Sequence, residues 1–457
     1  MGKIKFCGLL IAGLAFLMSS CLGSDDTNID DWNLGNAQIA AFSLSNDSIE
    51  GLSNVVFTID QVNGKIYNRD SMPYGTVIDE KVICTISYEF YALGSIFVSQ
   101  ETGDTVSWNG SDSVDFSSPV WITVYPFDGV STKTYDARIN IHQVNPDSVI
   151  WELYSGLIRG KSFSEMKVLP YNGSYYMYAK DPSVSGTGVK CELYKSETSD
   201  MVEWEQISLT GLPENTVLSR ITEYGSFLYA YTTAGELFQS ADGQNWSQVE
   251  EAPHIQVLLG AISENRTGGV SVLSGISKTD ETLRFVTMND KMEWQTGTAT
   301  TPASFPLSGF GVLNYEAMYH SYLAISGGRD KEGNLSDLTW STMNGLSWVS
   351  VTNKQSTFSA REGPAFFPYD TLFYLIGGMD ASGTALKDIY YSKDKGVTWW
   401  PDTVHLMPED YDARGFSSVI IDEDHYMLLF GGKAGKDTNI LNELWRGRVN
   451  RLGFKKD

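Results

Sequence analysis

The chain has 457 residues, 42% hydrophobic and 12% aromatic, enough to bury a sizeable core in more than one domain. Only 19% are charged, 43 residues are Gly, and the formal net charge is −23. That acidity excludes nucleic-acid backbones as partners, and the turn-rich, aromatic-rich balance points to an all-β protein.

Lys3 and Lys5 precede an apolar run from Cys7 to Met18 that is too short to cross a bilayer. Ser19, Ser20 and Cys21 follow. This ending resembles the lipobox of bacterial lipoproteins, with Met18 standing where that family favours Leu. The resemblance implies a signal peptide over 1–20, lipidation at Cys21 and a membrane anchor. Asp25-Asp26 resembles the surface-export signal of Bacteroidetes lipoproteins, which implies an outer-membrane protein exposed at the cell surface. A solvated polar tether over 21–36 accounts for the same residues. No later stretch is apolar enough for a membrane helix. Cys84 and Cys191 remain, and two buried free thiols are expected.

From 37 to 146 the chain alternates apolar and polar residues in short runs: Val55 to Ile59, Lys81 to Tyr88, Ser95 to Ser99, Val120 to Tyr125 and Tyr135 to His142. Asn63-Gly64, Pro73-Tyr74-Gly75 and Asp128-Gly129 mark turns between them. The pattern predicts a small Ig-like β-sandwich. Asn145-Pro146-Asp147 breaks the alternation and sets the boundary of a second domain over 147–457.

The second domain repeats. Apolar strands end in Gly327-Gly328, Gly377-Gly378 and Gly431-Gly432, spaced 50 and 54 residues apart. Each pair is followed by a polar loop, an acidic residue, a second strand, a tight turn and an aromatic. The aromatics Trp204, Trp246, Trp294, Trp348, Trp399 and Phe454 extend the period to six units. A four-stranded unit cannot bury both its apolar faces alone, so such units stack in a ring. Ser148 to Leu157 reads as a strand and is expected to zip beside the strand near Phe454, closing the circle.

At these residues the sequence resembles kelch repeats: Gly-Gly, an acidic residue nine to eleven positions on, a closing Trp, and Arg361 and Arg414 sixteen or seventeen positions before the pair. Ser392-Lys393-Asp394-Lys395-Gly396-Val397-Thr398-Trp399 resembles the Asp box of sialidase-type propellers, and the segments ending in Trp246 and Trp348 resemble it in part. The fold class so implied is all-β, an N-terminal Ig-like β-sandwich followed by a six-bladed kelch-type β-propeller. The layout resembles two-domain Bacteroidetes surface lipoproteins, a likeness that implies location and no activity.

No reacting constellation stands out, so no catalytic residue is assigned. A sialidase-like glycoside hydrolase or lyase needs an arginine cluster with a Tyr–Glu pair, and Arg220, Arg361 and Arg414 recur at starts of inner strands. The structural alternative is that these arginines bond neighbouring carbonyls and carboxylates. The five histidines show no metal-ligand spacing, so neither a metal nor another cofactor is expected. The leading expectation is a monomeric, non-catalytic envelope lipoprotein that binds a glycan or protein. Its candidate contacts are Arg220, Arg361, Arg414, Arg329, Trp400 and Tyr411, together with the loops that follow each Gly-Gly.

Overall fold

A computed structural model describes residues 34–110, 112–182, 190–197, 201–263, 270–435 and 440–454. The segments expected to form the signal peptide, the anchor at Cys21 and most of the tether lie outside the described residues. The chain divides into two compact units, 1–145 and 146–457.

The first unit carries two sheets. Ile39–Ser45, Val82–Tyr88 and Ser113–Val114 form one, with Val82–Tyr88 central. The other runs in the order Phe57–Asp60, Lys65–Asn68, Lys133–Arg138, Val120–Pro126, Ala92–Ser99, Thr105–Trp108. Its pairs are antiparallel except Lys65–Asn68 with Lys133–Arg138, which run parallel. Alternation along Val120–Pro126 turns Val120, Ile122 and Val124 into the core, where they meet Ile39, Phe42, Val82 and Cys84 of the opposite sheet. Tyr135 ties the sheets together: its hydroxyl accepts from Ile39 N at 3.1 Å and donates to Gln61 Oε1 at 2.7 Å.

Among the described residues the second unit holds six four-stranded antiparallel sheets. Sheet I comprises Glu165–Tyr171, Ser174–Asp181, Lys190–Ser196 and Glu205–Ile207; sheet II comprises Thr222–Tyr224, Phe227–Tyr231, Leu237–Ser240 and Ser247–Gln248. Sheet III spans Ile255–Ile262 to Trp294–Thr300, sheet IV Gly311–Ala317 to Val349–Ser350, and sheet V Ala365–Tyr369 to Trp400–Pro401. Sheet VI is built from Ser418–Ile421, Met427–Phe430, Glu443–Val449 and, from the start of the unit, Val149–Ser155.

First strands pack side by side in order from sheet II through sheet VI, and that of sheet VI packs on that of sheet I. The short 3-10 turn Leu218–Arg220, which leads into sheet II, packs on sheet I and completes the circle. Its closure is covalently staggered, because the outer strand of sheet VI comes from the other end of the unit. Val149 pairs with Val449, Trp151 with Gly447 and Ser155 with Glu443. Phe454 is therefore not the sixth closing aromatic. It follows a 3-10 turn at Asn450–Gly453 and is 38% exposed, while Trp151 packs on Gly447, where a Cβ would lie 2.3 Å from the ring.

The Gly-Gly pairs have left-handed dihedrals, with φ of 61° at Gly377 and 107° at Gly378. A side chain on Gly377 would also meet Arg414 O of the next sheet at 2.4 Å, so backbone contact between sheets demands glycine there.

Candidate functional site

The first strands and the turns leading into them line one cavity of about 230 Å³. All six sheets contribute: Met166 and Lys167 from I, Thr222 from II, Leu259 from III, Gly311 from IV, Ala365 and Phe366 from V, and Ser418 and Val419 from VI. Three equivalent left-handed residues, Gly309, Gly363 and Phe416, sit at the strand entries with φ of 61°, 64° and 63°. They link one sheet to the next, since Phe416 N donates to Gly363 O at 2.7 Å and Gly363 N to Gly309 O at 2.5 Å.

The charge in this wall is one-sided. Lys167 and Arg220 line it, and no Asp, Glu, His or Tyr does among the described residues. Arg220 Nη2 donates to Phe310 O at 2.8 Å, and the guanidinium lies 4.3 Å from the Phe310 ring centroid. Burial pushes the Arg220 guanidinium down to about 10, with Tyr231 and Glu165 acting in the opposite sense. Burial, and after it the charge of Arg220, push Lys167 down to about 8. Glu165 is the carboxylate behind the wall, and it is already engaged: it pairs with Lys180 at 2.9 Å and accepts from Ser219 N at 3.0 Å.

Of the sequence candidates, Arg220 alone reaches this cavity. Arg361 is fully buried, donates to both oxygens of Asp388 at 2.6 and 2.9 Å, and bonds Gly377 O at 2.9 Å. Arg414 is 2% exposed, lies 2.7 Å from Glu443 Oε1 and donates to Gly431 O at 3.1 Å. Both side chains lie outside the cavity lining, each paired with the acidic residue of its own repeat. Tyr411 lies outside the cavity lining as well, buried between Arg414, 4.3 Å from its ring centroid, and Trp445. Arg329 makes a two-pronged pair with Glu362, both contacts 2.7 Å, and donates to Gly333 O. Trp400 keeps a partly exposed face, stacked on Tyr391 at 5.9 Å.

The repeat residues hold hairpins and join sheets. Asp394 Oδ1 accepts from Thr398 N at 2.8 Å and from Ser392 Oγ at 2.9 Å. Asp242 takes the same part, accepting from Gln244 N, Asn245 N and Ser240 Oγ. Trp204, Trp246, Trp294, Trp348 and Trp399 stand at the entry to the fourth strands of sheets I to V. Several reach the preceding sheet: Trp246 contacts Tyr178, Trp348 contacts Phe285, Trp204 contacts Phe430, and Trp399 Nε1 donates to Thr339 Oγ1. Cys84 and Cys191 are both buried and free. Among the described residues no three His, Cys, Asp or Glu side chains gather as a metal cage.

The sequence profile of the DUF6242 β-propeller domain matches residues 145–457, and that of the family's N-terminal domain, a domain of unknown function, matches 34–139. This chain belongs to the DUF6242 family. Its all-β second unit, with sheets arranged around the cavity, is accordingly a β-propeller domain, preceded by the family's β-rich N-terminal domain. No curated protein matches the DUF6242 chain. Among solved structures, YjhT is similar at 12% identity and a TM-score of 0.43, over 62% of this chain and 95% of YjhT.

Proposed function

We propose that this DUF6242 chain is a lipid-anchored envelope protein that works as a non-catalytic binding module. In this reading Cys21 carries the anchor at the outer membrane, facing the cell exterior, and an Ig-like sandwich presents a six-bladed, kelch-type propeller with Asp-box turns. The observation that carries the binding role is the axial cavity, to which all six sheets contribute and which bears two cations but no carboxyl, tyrosine or histidine. Glycosyl transfer needs a pair of such groups within reach of the reacting atoms. The arginine cluster that would support a glycosidase is dispersed, with Arg361 and Arg414 bound to Asp388 and Glu443.

Two measurements test the reading. Labelling with a radioactive fatty acid should mark the wild-type chain and not Cys21→Ser. The full-length chain in detergent, applied to glycan and protein arrays, should bind a defined ligand class without altering it. Turnover of a bound glycan would replace the binding module with an enzyme.

A further inference from the structure

We propose that the axial cavity is an oxyanion site, in which Lys167 and Arg220 grip the carboxylate or phosphate head of a small organic ligand. The proposal rests on the binding-module reading above and supplies its ligand class.

The fully buried cations of this domain have carboxylates, Arg361 in Asp388 and Arg414 in Glu443, and so do the partly buried Lys161, Lys180 and Arg329; Arg284 and Arg448, also partly buried, bond backbone carbonyls instead. Lys167 has no carboxylate or other hydrogen-bond partner among the described residues, and Arg220 bonds a neutral carbonyl. A chain with 56 acidic and 33 basic residues thus places two cations without a carboxylate in the wall of one cavity, to which no acidic residue among the described residues contributes. Both side chains are partly buried; holding charge even partly away from water without a counterion has a cost, which an anion entering from solution lowers. Lys167 and Arg220 line the same cavity of about 230 Å³, which lets one small group face both.

The rest of the wall fits the body of such a ligand. Leu259, Val312, Phe366 and Phe416 offer apolar surface, and Ser219 and Thr222 bring hydroxyls beside Arg220. At about 230 Å³ the space lies below the roughly 300–1,000 Å³ usual for drug-sized ligands, which selects a small molecule.

The test is calorimetric titration of the full-length chain in detergent with acetate, inorganic phosphate, glucuronate and glucose. Expected is one-to-one binding of glucuronate or phosphate near neutral pH, none of glucose, and a roughly tenfold or greater loss in Lys167→Met. Acetate and glucuronate against phosphate separate the two head groups. Affinity should also fall as pH rises through about 8, where Lys167 sheds its proton; Arg220 is the other titratable group in the wall, with Glu165 and Tyr231 behind it. Arg220→Gln is the second variant. Where its lost tie to Phe310 unfolds the chain, Lys167→Met, checked by circular dichroism, still decides.

Absence of binding by every oxyanion to folded protein overturns the proposal, as does unchanged affinity in Lys167→Met. An array ligand indifferent to Lys167 removes the oxyanion site and leaves the binding module standing. Lys167-dependent oxyanion binding with blank arrays keeps the site and removes the glycan-or-protein ligand.

Discussion

At Lys167 the fold holds an ammonium where burial and the neighbouring Arg220 both disfavour charge, lowering its pKa from 10.5 to about 8. In the unfolded chain the group stays protonated to its ordinary value. The folded state therefore bears the full penalty below about pH 8 and loses it as pH climbs from there to 10.5. Lys167→Met is expected to stabilise the ligand-free protein near neutral pH by about 2 kcal/mol, discounted for partial exposure. The gain should vanish in thermal melts above pH 10.5. A gain that stays level across that range would assign the effect to packing instead. Such a residue weakens the fold for the sake of a site, as functional residues do. The sequence marks Arg220 by its place at a strand start, yet passes over Lys167, which is one charge in an alternating segment. The usable signal is comparative: Lys167 is the one cation in the first strands of the six sheets. For Arg361 and Arg414 the sequence leaves a ligand role and a structural role side by side. Their spacing from Gly-Gly is legible, but so are the acids Asp388 and Glu443 at ten and eleven positions past it, which turn out to be their partners.

Among the elements, the turn held by Asp242 shows how a hairpin is fixed without a large core. Partial burial alone would raise its pKa, but donation from Asn245 N, the Asn245 side chain, Gln244 N and Ser240 Oγ holds it down to about 2. A depressed carboxylate adds stability that is whole above its ordinary value of 3.8 and is lost as pH falls through about 2. Asp242→Ala should cost about 1 kcal/mol in this solvent-screened turn and speed amide exchange over 237–248. The difference from wild type should close as the pH drops from 3.8 to about 2; a gap that persists in acid would place the effect in the backbone. Units IV to VI are readable because Gly-Gly and the acid recur at nearly constant spacing, with the aromatic continuing the pattern in IV and V. Units I to III lack the glycine pair, so the aromatic at the fourth strand is the clearest mark they retain. In the N-terminal domain, alternation locates Val120–Pro126 and Val82–Tyr88 within a residue or two. It has no means of revealing that Lys65–Asn68 lies parallel to Lys133–Arg138, since that pairing joins segments far apart in the chain.

For the whole molecule the decisive join is between the two ends of the propeller domain, and the sequence reading placed its aromatic at Phe454. The first strand of the domain supplies the edge of sheet VI, so the aromatic is Trp151, and nothing in a period counted from the C-terminus points to it. Gly447 faces that ring with no room for a Cβ. Gly447→Val is therefore expected to push Trp151 out and destabilise the domain by about 3 kcal/mol, as overpacking does. Combining it with Trp151→Ala should restore part of the loss, because the two changes share one contact. The join also bears on the site. Sheets I and VI meet where Met166 and Lys167 stand beside Ser418 and Val419 in the cavity wall, so loosening the seam alters one side of that wall. Gly447→Val should weaken oxyanion binding along with stability, whereas Asp242→Ala, at a turn outside the cavity, should lower stability and leave affinity unchanged. Melting and titration of the two variants side by side decide this. Equal affinities in both would mean that the wall keeps its shape without the Val149–Val449 pairing, and that closure serves the fold alone.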